Sequence, residues 1–161
     1  MKYYANIVIA VIFGVLCMKV PSVWAEGSVH KGAHAMVTPA DLNWVEVPSL
    51  PPGAKLAVIE GPLNEPVAVT FRISFPANYK LPAHWHPAIE HVTVISGTIH
   101  MGVGDKLDAK ESELLSVGSV AIMQPKTNHF LWTKEEAIVQ VHGIGPWGIT
   151  YVNPADDPRK K

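Results

Sequence analysis

The segment His84-Trp85-His86-Pro87-Ala88-Ile89-Glu90 gathers two imidazoles and a carboxylate into one short stretch. These groups are hard to place together except around a metal ion. Side chains alternate along an extended strand, so His84 and His86 share a face, and Pro87 disfavours continuation as helix. Glu90 follows the proline-bearing bend and opens Glu90-His91-Val92-Thr93-Val94-Ile95, a β-branched run. That run is either the next strand or a continuation of the same one, and in both cases the carboxylate can reach the histidine pair.

The elements that must position this segment are short strands. Asp41–Val47 alternates as a first strand and ends at Pro48, Pro51, Pro52 and Gly53; Lys55–Glu60 is a second. Val67–Phe75 alternates cleanly, with Val67, Val69, Phe71, Ile73 and Phe75 on one face, which marks a half-buried core strand. Pro76–Pro82 reads as a loop, and Glu90–Gly104 as a hairpin turning at Ser96-Gly97. Asp105–Ser116 reads as a loop or one or two helical turns. Strands follow at Val120–Met123, His129–Trp132, Ala137–His142 and Ile149–Val152. The pattern predicts an all-β protein, a double-sheet antiparallel sandwich or barrel with at most one or two short helical turns.

A length of 161 residues suits one domain with a real core. The first 25 residues have a basic start at Lys2, an apolar stretch from Ala5 to Leu16 and then Val23-Trp24-Ala25, with a small residue at the cleavage position and a tolerable Val23 two before it, the pattern of a secretory signal peptide; an uncleaved membrane anchor is the alternative. The expected organisation is a signal at 1–25, a mobile arm at 26–40 containing His30 and His34, one β domain at 41–152, and a surface tail at 153–161. Cleavage after Ala25 removes Lys2, Lys19 and the sole cysteine, Cys17. Of 13 basic residues 11 remain against 14 acidic ones, a net charge of −3. Such a balance excludes the basic surface that nucleic acid or anionic membrane requires, and it leaves no disulfide. The protein is expected to be exported, periplasmic or secreted, without stable membrane insertion after cleavage.

With these residues in place, the chain resembles the cupin superfamily of small jelly-roll barrels. Its first motif, G-x5-HxH-x3,4-E-x6-G, is matched by His84, His86, Glu90 and Gly97, with Asn78 at the leading glycine. The second, G-x5-PxG-x2-H-x3-N, is matched by Gly118 and His129, while Gln124, Lys126 and Thr133 replace proline, glycine and asparagine. The resemblance implies a jelly-roll fold and a mononuclear metal site of His84, His86, Glu90 and His129. Three imidazoles and a carboxylate suit one divalent transition metal: Fe, Mn, Zn, Ni or Cu. It also implies a small-molecule substrate and a possible homodimer.

Other side chains compete for roles. His91 adjoins Glu90 and should point away from the metal. If proton transfer is needed, Glu90, His100 and His142 are the candidate catalytic groups, although His100 and His142 are more readily explained as structural. Trp85, Trp132, Trp147, Phe130 and Met101 either line a cavity or pack the core. Gly143–Gly148 is a rim loop or a crossing between strands. The expected function is a metal-dependent enzyme of dioxygenase, decarboxylase, lyase or isomerase type; the alternative is a non-catalytic metal-dependent binding or sensing module.

Overall fold

Val69, Phe71 and Phe75 are all but fully buried on one face of the central strand, and that stripe organises the molecule. A computed structural model describes residues 34–161; the expected signal peptide with Cys17, and most of the arm with His30, lie outside the described residues, and His34 is exposed. The strands are β1 (Val45–Glu46), β2 (Lys55–Glu60), β3 (Ala68–Phe75), β4 (Lys80–Trp85), β5 (Glu90–Ser96) and β6 (Ile99–Val103). Then come β7 (Glu113–Leu115), β8 (Val120–Met123), β9 (His129–Trp132), β10 (Ala137–Ile144) and β11 (Thr150–Tyr151). They form a six-stranded sheet in the order β1-β2-β3-β10-β5-β8 and a five-stranded sheet in the order β11-β4-β9-β6-β7. All pairings are antiparallel. The sheets enclose a core of inward residues from both, including Val92, Ile99, Leu131 and Val139. Each such side chain contributes about 1.5–3 kcal/mol on leaving water.

Several local expectations change. The first strand shrinks to Val45–Glu46, because Pro39–Asp41 forms a 3-10 turn capped by Thr38. Val67 precedes β3 and is exposed. Glu90–Gly104 is not a hairpin: β5 pairs with β10 and β8, β6 pairs with β7 and β9, and the turn between them crosses from one sheet to the other. Gly97 makes the crossing possible at φ 68°, where a Cβ would strike the Glu136 carbonyl oxygen. The Asp105–Ser116 region holds a 3-10 turn, Ala109–Glu111, and the strand β7. Two more 3-10 turns, Pro154–Asp156 and Pro158–Lys160, shape the closing segment, where Asp157 is buried instead of lying on the surface. Among the described residues no helix is long and apolar enough to cross a membrane.

The segment 76–82 matters most for the site. It was expected as a loop, yet β4 begins at Lys80 and runs through Pro82. Pairing with β9 slips between Leu81↔Leu131 and His84↔His129, a bulge in which β4 spends one extra residue. Proline cannot donate to a strand ladder, so the irregularity falls where a regular ladder would lose a bond anyway. Leu81 and His84 are an odd number of residues apart and would face opposite ways on a regular strand. The bulge returns both to the interior.

Candidate metal centre

Four buried side chains meet between the sheets. His84 comes from β4 and His129 opens β9, both in the five-stranded sheet, and His86 directly follows β4; Glu90 opens β5 and reaches across from the other sheet. The ring centroids of His84 and His129 are 4.3 Å apart, those of His84 and His86 5.0 Å, and those of His86 and His129 5.3 Å. One ring nitrogen from each histidine lies within 4.8 Å of the other two.

Hydrogen bonding identifies that nitrogen. Nδ1 of His84 donates to the Pro82 carbonyl at 2.7 Å, Nδ1 of His86 to the Gly148 carbonyl at 2.6 Å, and Nδ1 of His129 to the Thr127 carbonyl at 2.9 Å. A carbonyl only accepts, so each Nδ1 carries the proton and each neutral ring turns an Nε2 lone pair inward. Metal-binding histidines are oriented in this way, by a carbonyl on the outward nitrogen.

Glu90 completes the donor set. Its Oε1 lies 3.6 Å from His86 Nε2 and its Oε2 3.2 Å from His129 Nε2. Oε2 is buried and has no well-formed hydrogen bond among the described residues, although His129 Nε2 is close. Unsatisfied buried oxygens are rare and call for a partner. Three lone-pair nitrogens and that oxygen, facing one another, fit a divalent transition metal.

The electrostatics favour ligand protonation states. Burial pushes the His84 pKa well below the usual imidazole range, and the neighbouring His129 and His86 push the same way. Burial also lowers His86, against the opposing pull of Glu90. Burial alone would raise Glu90, but the charges of His86 and His129 outweigh it and keep the carboxyl below its ordinary value. His129 is the exception: burial lowers it, and contact with Glu90 more than compensates and raises it. Contact with Glu90 thus favours a proton on His129, one that a bound metal ion would have to displace.

Around the four residues lies a cavity of about 100 Å³, walled mainly by Leu, Val, Ile and Phe side chains and by Met101. This is well beyond the roughly 10–15 Å³ that one water needs. Trp147 stacks on His86, with centroids 4.4 Å apart and planes at 23°, and meets Phe71 edge-on at 5.2 Å. Gly148 also lines the cavity, so Gly143–Gly148 supplies part of the rim. Among the lining residues Arg159 is the exposed one and marks the mouth.

The other candidates face away. His100 lies between the inward Ile99 and Met101, and stacks on Trp132 outside the five-stranded sheet at 3.7 Å and 8°. His142 follows the inward Val141 and stacks on His91 outside the six-stranded sheet at 4.9 Å and 12°. Neither reaches the cavity, because period-two alternation fixes their faces. Trp132 and the half-buried Trp85 also stay outside the lining, and Phe130 packs beneath Gly102. The departures from the second motif are accommodated. Lys126 takes the left-handed conformation at φ 63°, as Asn78 does at φ 59°. Thr133 donates to the Pro76 carbonyl at 2.8 Å and accepts from Tyr79 N at 3.1 Å, tying the β3–β4 turn to β9. Arg159 and the three orienting carbonyls were missed. Backbone oxygens leave no trace in residue types, and Arg159 sits in a segment whose composition suggests plain surface chain.

Neither a family model nor a curated protein sequence matches the chain. Solved structures do. The polyketide cyclase RemF from Streptomyces resistomycificus aligns with a TM-score of 0.64 at 16% identity, over 79% of this chain and 91% of that one. An RmlC-like cupin from Shewanella frigidimarina NCIMB 400 aligns with a TM-score of 0.56 at 14% identity, over 70% and 91%. The DMSP lyase DddQ from Ruegeria pomeroyi DSS-3 aligns with a TM-score of 0.56 at 15% identity, over 70% and 61%. The chain has the cupin fold, an all-β double-stranded helix of two antiparallel sheets. Enzymes are among its structural neighbours, and its three clustered histidines can hold a metal.

Proposed function

We propose that the protein is an exported, mononuclear metalloenzyme acting on a small organic molecule, with His84, His86, His129 and Glu90 as the metal ligands. The observation that carries this reading is the orientation of the three rings, each with Nδ1–H committed to a carbonyl and Nε2 turned toward the other two. A divalent transition metal bound there would supply a Lewis acid that polarises a substrate oxygen or binds dioxygen. The chain's own residues do the rest. The apolar walls exclude water and strengthen every charge interaction inside. Trp147 holds the plane of His86 and gives a substrate a flat surface beside it. With His100 and His142 outside, Glu90 is the group in the cavity able to take a proton, and its carboxylate is kept ionised for that task by His86 and His129.

Metal analysis after reconstitution tests the site. About one equivalent in the wild type and none in His84→Ala/His86→Ala supports it; equal content in the two overturns it. A panel of small organic acids, enols and phenols then tests catalysis. Bound metal without turnover and without exchangeable water favours a binding module. Export is supported by the sequence of the first 25 residues, and N-terminal sequencing of the mature protein checks it. Homodimer formation is supported by exposed Val120 and Ile122 on the edge strand β8, and light scattering checks that.

A further inference from the structure

We propose that Arg159 is a positioning residue for the metal centre: locked to Asp157, it clamps the Ile149 carbonyl and so fixes the neighbouring Gly148 carbonyl that orients His86. The inference rests on the metal-site reading above. Arg159 Nε donates to Asp157 Oδ1 at 2.7 Å and Nη2 to Asp157 Oδ2 at 2.8 Å, a bidentate pair. Nη2 also donates to the Ile149 carbonyl at 3.3 Å. Gly148, one residue back, accepts the His86 Nδ1–H at 2.6 Å. One short stretch of backbone thus joins the guanidinium at the mouth to a ligand ring inside.

That stretch needs an external hold. A Cβ at Gly148 would meet nothing within 4 Å beyond its chain neighbours, and glycine has the widest backbone freedom. The chain is pinned before it, where Trp147 N donates to the Leu63 carbonyl at 2.6 Å, and after it, where Thr150 pairs with Trp85. Between these points the Arg159 bond holds the Ile149 carbonyl. The alternative use of Arg159, gripping an anionic substrate, is disfavoured by the same bonds: Nε and Nη2 are spent, and Asp157 cancels the charge.

The test uses Co(II) as the probe, in Arg159→Gln, Arg159→Lys and Asp157→Asn, with Arg72→Gln on the outer sheet face as control. Arg159 is exposed, so its variants should fold. The expected result is a Co(II) affinity lowered roughly 10-fold in Arg159→Gln and Asp157→Asn, within the range for lost orienting partners. The visible bands should shift with it. Arg159→Lys, which keeps a cationic donor, should recover part of the loss, and Arg72→Gln should match the wild type. In the metal-free protein, the His86 Nδ1–H proton resonance should exchange faster in Arg159→Gln. Wild-type affinity, spectrum and exchange in both Arg159→Gln and Asp157→Asn overturn the role of Arg159 alone. Failure of the wild type to bind any divalent transition metal overturns the underlying site as well.

Discussion

The inner and outer histidines are the same side chain on different strands of one barrel, and they differ in what engages their nitrogens. Inside, His84, His86 and His129 are buried, each held through Nδ1 by a carbonyl, and they face a carboxylate. Outside, His91 stacks on His142 and His100 stacks on Trp132, ring on ring, and among the described residues no carboxylate forms an ion pair with them. His100 is nearly as buried as His86, so burial alone does not separate the groups. The separation comes from which face of the strand is presented and from what holds the second nitrogen. A ring with its outward nitrogen engaged has its inward lone pair aimed. A stacked ring has only its faces engaged.

That contrast can be broken most forcefully by removing ligands. His84→Ala/His86→Ala is expected to abolish metal uptake, whereas His91→Ala/His142→Ala should retain it, as elemental analysis of matched preparations would show. Glu90→Gln should come next. It keeps the shape but removes the charge, so affinity should fall by at least the roughly 10–100-fold seen for lost orienting partners, measured by chelator competition. In that variant His129 also loses the carboxylate charge that raises it.

Acid should act in the same direction. His84 and His86 are depressed by burial below the ordinary imidazole value of 6.5. In the unfolded chain they protonate near that value while the folded rings resist, so metal-free stability should fall as pH drops below it. Glu90, also depressed, adds a loss at lower pH as it approaches its folded value. His129, raised by Glu90, opposes the trend: its contribution is present below the ordinary value and is lost as pH rises through its folded one. Two depressed imidazoles against one raised leave a net loss on acidification, and metal loading should move the unfolding midpoint to lower pH. Denaturant melts across that range, with and without metal, check this.

Smaller effects sharpen the outer half of the comparison. His100→Ala should cost about 0.5–1.5 kcal/mol, the scale of a stacked pair, with metal content unchanged. Lys126→Gly, in the turn that delivers His129, should stabilise by about 0.5–1 kcal/mol, because a lysine at positive φ carries steric strain that glycine does not.

The His84-x-His86 pair and Glu90 were legible because period two and a short spacing are local properties. His129 was legible only through the spacing of a motif, since nothing around it signals that β9 lies beside β4. The inner stripe of β3 was legible from Val69 onward, because alternation over a long strand leaves little choice. The turn at Ser96-Gly97 was misread for a physical reason. Two apolar strands joined by glycine look alike whether they pair with each other or cross between sheets, and the outcome depends on β8 and β10, which come later in the chain. Asn78 and Lys126 both stand at motif glycines and both take positive φ, so the glycine positions of the motifs marked the turns even where the residue had changed. Arg159 stayed hidden because its importance lies in backbone carbonyls distant in sequence.

The extra residue that β4 spends at Pro82 has a consequence for how this site tolerates change. Point substitutions near Leu81 alter packing but leave the phase of the strand intact. Deleting one residue between Leu81 and His84 would leave them two apart, the step at which a regular strand keeps both on one face, so the bulge would close with His84 and His86 still turned inward. The inward phase of the ligands can therefore be kept with the extra residue or without it, and a shorter β4 with an unbroken ladder is an equally sound frame for such a centre.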